Sequence, residues 1–164
     1  PKQAKSAIAD FADYLRGNLA SLPAKKPIPF GMELEHIKRY LRPEKLRFQE
    51  ELNIGYDIQC EDFMLPSLSV QPLVENAVKH GVGKKVGGGT VTIRTMETED
   101  EYIVQVEDDG VGFTVGEYEE DGKLHIGFEN IRKRLAIMSN ARLEVKSIKG
   151  KGTTAVILLK RRGN

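Results

Sequence analysis

Two pairs of strand-like segments constrain this chain more than any other feature. Residues 90–96 and 102–108 alternate apolar and polar side chains and are joined by the acidic turn "ETEDE". Residues 142–148 and 153–159 flank the turn "KGKG". Links this short join antiparallel neighbours, so each pair reads as a hairpin. A further strand is expected over residues 53–60. Between and before the strands the apolar period changes to that of helices. Residues 1–22 carry Ile8, Phe11, Ala12, Leu15 and Leu19 on one stripe; residues 32–52 carry Leu34, Ile37, Leu41 and Phe48, with Pro43 expected to kink or split the helix. Two more helices are expected over residues 70–81, opened by Pro66 and Pro72, and over residues 128–138. The fold class that follows is α+β: a two-layer sandwich of a mixed, mostly antiparallel sheet with helices on one face, preceded by N-terminal helices. Neither early helix has a sheet signal beside it. Residues 1–49 are therefore expected to be a helical appendage and residues 50–164 the main domain.

The chain has 164 residues, enough to bury a real core, and a formal net charge of +1. No strong field directs it toward nucleic acid or membrane, and no nucleic-acid partner is expected. The basic run Lys160, Arg161 and Arg162 reads as a solvated tail. Cys60 is the single cysteine, which excludes an internal disulfide and a cysteine metal cluster and suits a reducing cytosol. No segment approaches the ~18 apolar residues of a membrane span. A chain that starts at Pro1 without a methionine is expected to be cut from something longer, in which a membrane region has room to lie.

The stretch "VQPLVENAVKHG", residues 70–81, has two faces. At about 100° per residue, Val70, Leu73, Val74, Ala77 and Val78 fall on a core arc, and Glu75, Asn76, Lys79 and His80 on another. The polar arc is either an ordinary solvated face or the lining of a site. Asn is a mediocre helix former, which suggests that Asn76 is present for its side chain. Its amide oxygen is a hard ligand of the kind magnesium takes, and Lys79 is placed to neutralise phosphate oxygens.

On the strand that ends at Asp108, Tyr102, Val104, Val106 and Asp108 share a face. Asp108 thus aims a carboxylate at the helical layer. There it either caps the following turn or accepts a hydrogen bond from a ligand amine such as that of adenine. In "DDGVGF", Gly110 and Gly112 remove side chains where a flat ring would approach the backbone. The polar stretch 114–125 has the length of a lid. In "HIGFENIRKRL", Gly127 is expected at a helix start, where free N–H groups attract anions. "KGKGT" brings Gly150, Gly152 and Thr153 to a hairpin.

The order of these pieces resembles the ATP-binding domain shared by sensor histidine kinases, DNA gyrase, the heat-shock chaperone of the same fold and mismatch-repair ATPases, the Bergerat-type fold. Within that group "QPLVENAVKHG", "DDGVGF", "GFENIRKRL" and "GKGT" are similar to the LytS-type sensor histidine kinases. "ELEHIKRYLRPEKLRF" is similar to the segment those proteins carry between dimerisation helices and ATP-binding domain. The resemblance implies ATP and Mg2+ as cofactors, with Asn76 on the magnesium and Asp108 on the adenine amine. It implies that Lys79 and His80 lie near the phosphates or ribose. Gly110, Gly112 and Phe113 would shape the base pocket, Gly127 and Phe128 would meet the phosphates at the lid's end, and Thr153 would stand close to adenine. Asn130 matches a recurrent position with no assigned role.

The implied activity is transfer of the ATP γ-phosphoryl group to a histidine on a dimerisation helix. The implied setting is a homodimer in the intact protein, a response regulator as partner, and a cytoplasmic location in a membrane-bound sensor. Several positions depart from the family pattern. His125 stands where a glycine is usual, and Asp109 where asparagine is common. Pro72 stands where gyrase-like hydrolases carry a glutamate, which favours phosphoryl transfer over hydrolysis. The Pro-His-Phe-Leu-Phe-Asn acceptor run is missing from the chain. His36, in "ELEHIKRY", reads as an ordinary helix-face histidine. Self-phosphorylation at the usual place is therefore not expected of this chain. A nucleotide-gated interaction module without phosphotransfer is the alternative reading, and a plain α+β binding domain without nucleotide a third.

Overall fold

The computed structural model describes residues 26–114, 123–138 and 140–161. The helix expected over residues 1–22 and most of the expected lid lie outside them. Five strands form the main sheet: β2 (Leu52–Ile58), β4 (Gly89–Glu97), β5 (Glu101–Asp108), β6 (Ala141–Ile148) and β7 (Gly152–Lys160), in the spatial order β2-β4-β5-β7-β6. β2 runs parallel to β4 and every other pair is antiparallel, so the sheet is mixed and mostly antiparallel. The register follows from the alternation. Val91, Ile93 and Thr95 lie opposite Asp108, Val106 and Val104, which in turn lie opposite Thr153, Ala155 and Ile157. One face of the sheet is thus a continuous apolar layer. Slipping any strand by one residue would turn that layer to solvent.

Three helices cover this face. They are α1 (Phe30–Phe48), a short α2 (Gln71–Asn76) and α3 (Lys123–Leu135). Phe30, Leu34, Ile37 and Leu41 of α1 are buried in the same core as Leu73 and Val74 of α2, Ile131 and Leu135 of α3 and the inward residues of the strands. Pro43 lies inside α1 without ending it. A small second sheet pairs β1 (Pro27–Pro29) with β3 (Met64–Pro66). Pro66 ends β3 rather than opening a helix. Phe30 stacks on Phe63 at 5.1 Å, and Phe63 on Tyr102 at 5.1 Å, which ties this small sheet to β5.

Two more boundaries differ from the expectation. The helix of residues 70–81 is α-helical only to Asn76; Ala77–Gly81 is a π-turn and Val82–Lys84 a 3-10 turn. A π-turn holds more residues per turn, so a 100° wheel overshoots at Lys79 and His80. The second difference is in α3, which starts at Lys123 and not at Gly127. Gly127 therefore sits one turn inside the helix, past the free N–H groups of the first turn.

Candidate functional site

A cleft opens between the C-terminal part of the α2 segment, the start of α3 and the ends of β5 and β7. Leu73, Asn76, Ala77, His80 and Gly81 line it from one helix, and Phe128 from the other. Val106, Asp108, Thr153 and Ala155 form its floor, and Phe113 one wall. About 340 Å³ of empty space lies in it, including the open solvent at its mouth.

Asp108 lies in the floor and is 6% exposed. Its Oδ1 accepts the Gly110 N–H at 2.9 Å, so the carboxylate does cap its own turn. Burial nevertheless pushes its pKa up to about 6; the Gly110 and Thr153 backbone contacts pull it down, and Asp109 and Glu107 push it further up. A carboxylate held in this state has unfilled acceptor capacity in a poorly hydrated place.

The surrounding backbone is built around it. A Cβ on Gly81 would stand 2.5 Å from Asp108 Oδ1, and one on Gly110 2.1 Å from the Gly81 carbonyl carbon. Val111 N–H donates to the Gly81 carbonyl at 3.2 Å, which ties the turn after β5 to the end of the π-turn. Gly112 adopts φ +59, and a Cβ there would meet the Ile148 carbonyl oxygen at 2.1 Å. Asp109 faces away from the cleft, where its Oδ1 accepts the Thr90 N–H at 2.7 Å and fixes the start of β4.

At the helical side, a Cβ on Gly127 would lie 3.3 Å from Asn76 Nδ2. That nitrogen is buried and has no hydrogen-bond partner among the described residues. The amide is thus not committed to the protein, and a half-turn brings its oxygen into the same place. Among the described residues no cluster of His, Cys, Asp and Glu could hold a metal. The Asn76 side-chain amide oxygen is one hard donor of the kind a divalent ion takes. This fits magnesium, which usually keeps water and substrate phosphates as its other ligands. Phe113 and Phe128 meet at 6.5 Å and 54°, a tilted pair across one side of the cleft.

Residues 65–163 match the family of histidine kinase-, DNA gyrase B- and HSP90-like ATPases, and residues 1–52 match the histidine kinase model. The chain belongs to the family of histidine kinase-, DNA gyrase B- and HSP90-like ATPases.

It is 35% identical over 164 residues to YwpD of Bacillus subtilis strain 168, covering 96% of this chain and 59% of that protein. It is 34% identical over 154 residues to the sensor histidine kinase YpdA of Escherichia coli K12, covering 90% of this chain and 27% of that one. To the sensor protein LytS of Oceanobacillus iheyensis it is 29% identical over 114 residues, covering 68% of this chain and 19% of LytS. The chain thus spans only part of the length of the curated relatives it matches. Two histidine kinase structures share the fold. AdeS of Acinetobacter baumannii has a TM-score of 0.68 at 12% identity, covering 97% of this chain and 82% of that one. The kinase domain of the Erythrobacter litoralis blue-light activated enzyme has 0.60 at 22%, covering 80% and 61%.

In this chain the cleft gathers Asn76, His80, Asp108, Phe113, Phe128 and Thr153 from the residues singled out in the sequence. Gly110, Gly112 and Gly127 stand just behind its walls. Lys79 does not line it. Sequence reasoning missed Gly81, whose lack of a side chain makes room for Asp108. It also missed Ser147, whose Oγ lies 2.8 Å from the Thr153 hydroxyl. Gly81 had a signal, a glycine closing "VKHG". Ser147 had none beyond being a polar residue in an alternating strand.

Proposed function

We propose that the cleft binds ATP and that the chain is the nucleotide-binding part of a sensor histidine kinase that transfers the γ-phosphoryl group to a histidine. The observation that carries this reading is that Asp108 and Asn76 line one cavity. The adenine amine donates to the Asp108 carboxylate, the ring lies against Phe113 and Phe128, and Asn76 serves as the protein's ligand to Mg2+. His80, which lines the cleft, faces the ribose and phosphates. Bound magnesium supplies charge neutralisation to the phosphates. In the transfer step a histidine nitrogen forms a bond to the γ-phosphorus while the bond to the β–γ bridging oxygen breaks and ADP departs. Positioning and electrostatics dominate such a step. Pro72, one turn before Asn76, offers no base to activate water, which favours transfer over hydrolysis.

The three histidines of the chain do not include one in a Pro-His-Phe-Leu-Phe-Asn run, so the acceptor is supplied by a further dimerisation helix. In this reading the intact protein is a homodimer that passes phosphate to a response regulator, with this part on the cytoplasmic side of a membrane-bound sensor. Residues 1–49 belong to the dimerisation and linker part and residues 50–164 to the ATP-binding part. Calorimetric titration with Mg2+ and ATP tests the site. Asp108→Asn and Asn76→Asp are each expected to weaken binding by about 1.5–3 kcal/mol, roughly 10- to 150-fold. Unchanged affinity in both variants refutes the assignment. Adding an acceptor helix in trans is expected to yield acid-labile phosphate.

A further inference from the structure

Asp108, Thr153 and Ser147 form a row across three strands. Asp108 is opposite Thr153 in the β5–β7 pair, and Thr153 is opposite Ser147 in the β7–β6 pair. Directly opposed residues project on the same face, so all three side chains point to the helical layer. Asp108 and Thr153 line the cleft, and Ser147 stands behind Thr153.

The protons of this row can be accounted for one by one. Ser147 Oγ accepts the Phe113 N–H at 2.9 Å. It lies 3.2 Å from the Gly152 carbonyl, which can only accept, so Ser147 donates its single proton there. Its remaining contact is Thr153 Oγ1 at 2.8 Å. With Ser147 donating to the Gly152 carbonyl, Thr153 is the donor in that contact. This is the one arrangement in which all three contacts are hydrogen bonds. The Thr153 proton then points away from the cleft and both its lone pairs remain available. An ionised Asp108 offers only lone pairs as well. The floor of the cleft is therefore acceptor-only where the edge of a base would meet it.

We infer that Ser147 is a positioning residue that sets base selectivity: by holding the Thr153 proton outward, it makes the cleft favour a purine with an exocyclic amine over one with a carbonyl at the same position. This rests on the cleft being the ATP site. An amine brings two protons to two acceptors. A carbonyl oxygen facing the same row leaves buried acceptors against an acceptor, the kind of mismatch a polar site rejects strongly.

The test is competitive titration of ATP and inosine triphosphate, which replaces the amine by a carbonyl, on the wild-type chain, Ser147→Ala and Ser147→Thr. Melting without nucleotide checks that each variant is folded. In Ser147→Ala the Thr153 hydroxyl can turn its proton into the cleft and donate to the carbonyl. The ATP-over-inosine preference is expected to shrink about tenfold, the weight of one ordinary hydrogen bond. Losing the Phe113 anchor weakens both nucleotides alike and leaves the ratio untouched. Ser147→Thr keeps the hydroxyl and is expected to keep the wild-type ratio. An unchanged ratio in Ser147→Ala overturns the inference, as does an equal fall in Ser147→Thr. A wild-type chain that binds neither nucleotide overturns the ATP reading itself and this inference with it.

Discussion

Replacing Glu33 tests how α1 supports the nucleotide helix. Glu33 lies on α1 and is fully buried. α2 begins after Val70, whose side chain cannot cap a helix. Glu33 does so from another element: its Oε1 accepts the Val70 N–H at 2.9 Å and the Gln71 N–H at 3.2 Å. Burial pushes its pKa up to about 7 from 4.5, against these backbone contacts and the field of Arg134 on α3. A carboxyl with a raised pKa holds its proton longer in the folded state than in the unfolded one. Its stabilising effect is complete below about pH 4.5 and is lost as pH rises through 7. The gap corresponds to roughly 3 kcal/mol at about 1.36 kcal/mol per pH unit.

Glu33→Gln keeps an acceptor oxygen for both N–H groups and cannot ionise. Relative to wild type its melting temperature is expected to rise between pH 5 and pH 8, by roughly 5–10 °C for a chain of this size. Glu33→Ala leaves two buried N–H groups unpaired. At pH 5, where wild-type Glu33 is mostly protonated, it is expected to cost about 2–4 kcal/mol. Thermal melting by circular dichroism at pH 5, 6, 7 and 8 gives all three curves. Asp108 titrates with the same sign in every protein, so it cancels in the differences. A Gln-minus-wild-type difference that does not change with pH would refute the reasoning, as would a Glu33→Ala variant as stable as wild type at pH 5.

Two further outcomes follow from the site. Because burial raises the Asp108 pKa to about 6 and the ionised form accepts the amine, ATP affinity is expected to fall about tenfold per pH unit below 6. Asp108→Asn should lose that dependence when titrated from pH 7 to pH 5, and should itself stabilise the nucleotide-free chain at pH 7 by about 2 kcal/mol after allowance for solvent in the cleft. Gly81→Ala places a methyl 2.5 Å from Asp108 Oδ1, which is expected to cost about 1–3 kcal/mol in melting experiments and to abolish ATP binding. Near-wild-type affinity would mean that Asp108 does not read the base.

Much of the fold is legible in the chain because strand alternation is a local signal. The two hairpins, their register and the inward Asp108 follow from a period of two and a short turn. The parallel pairing of β2 with β4 and the small β1–β3 sheet do not, since each joins segments separated by other elements. The candidate site is legible where a residue type is unusual for its place, as Asn76 is in a helix and Gly110 and Gly112 are after a strand. It fails where the local geometry departs from a regular helix. The π-turn at Ala77–Gly81 brings His80 to the cleft without Lys79, and the early start of α3 takes Gly127 away from a helix end.

The sequence by itself determined the strands of the main sheet, the faces they bury and the placing of Asn76 on a helix and Asp108 on an inward strand face, because these depend on neighbours two to four residues away. Only the tertiary structure decided the roles of Glu33 and Ser147. Glu33 meets its partners 37 and 38 residues along the chain, and Ser147 meets Phe113 across 34. Contacts at that range leave no period in the sequence. A glutamate on an amphipathic helix and a serine on a strand look like surface residues until packing removes them from water and joins each to backbone groups far along the chain.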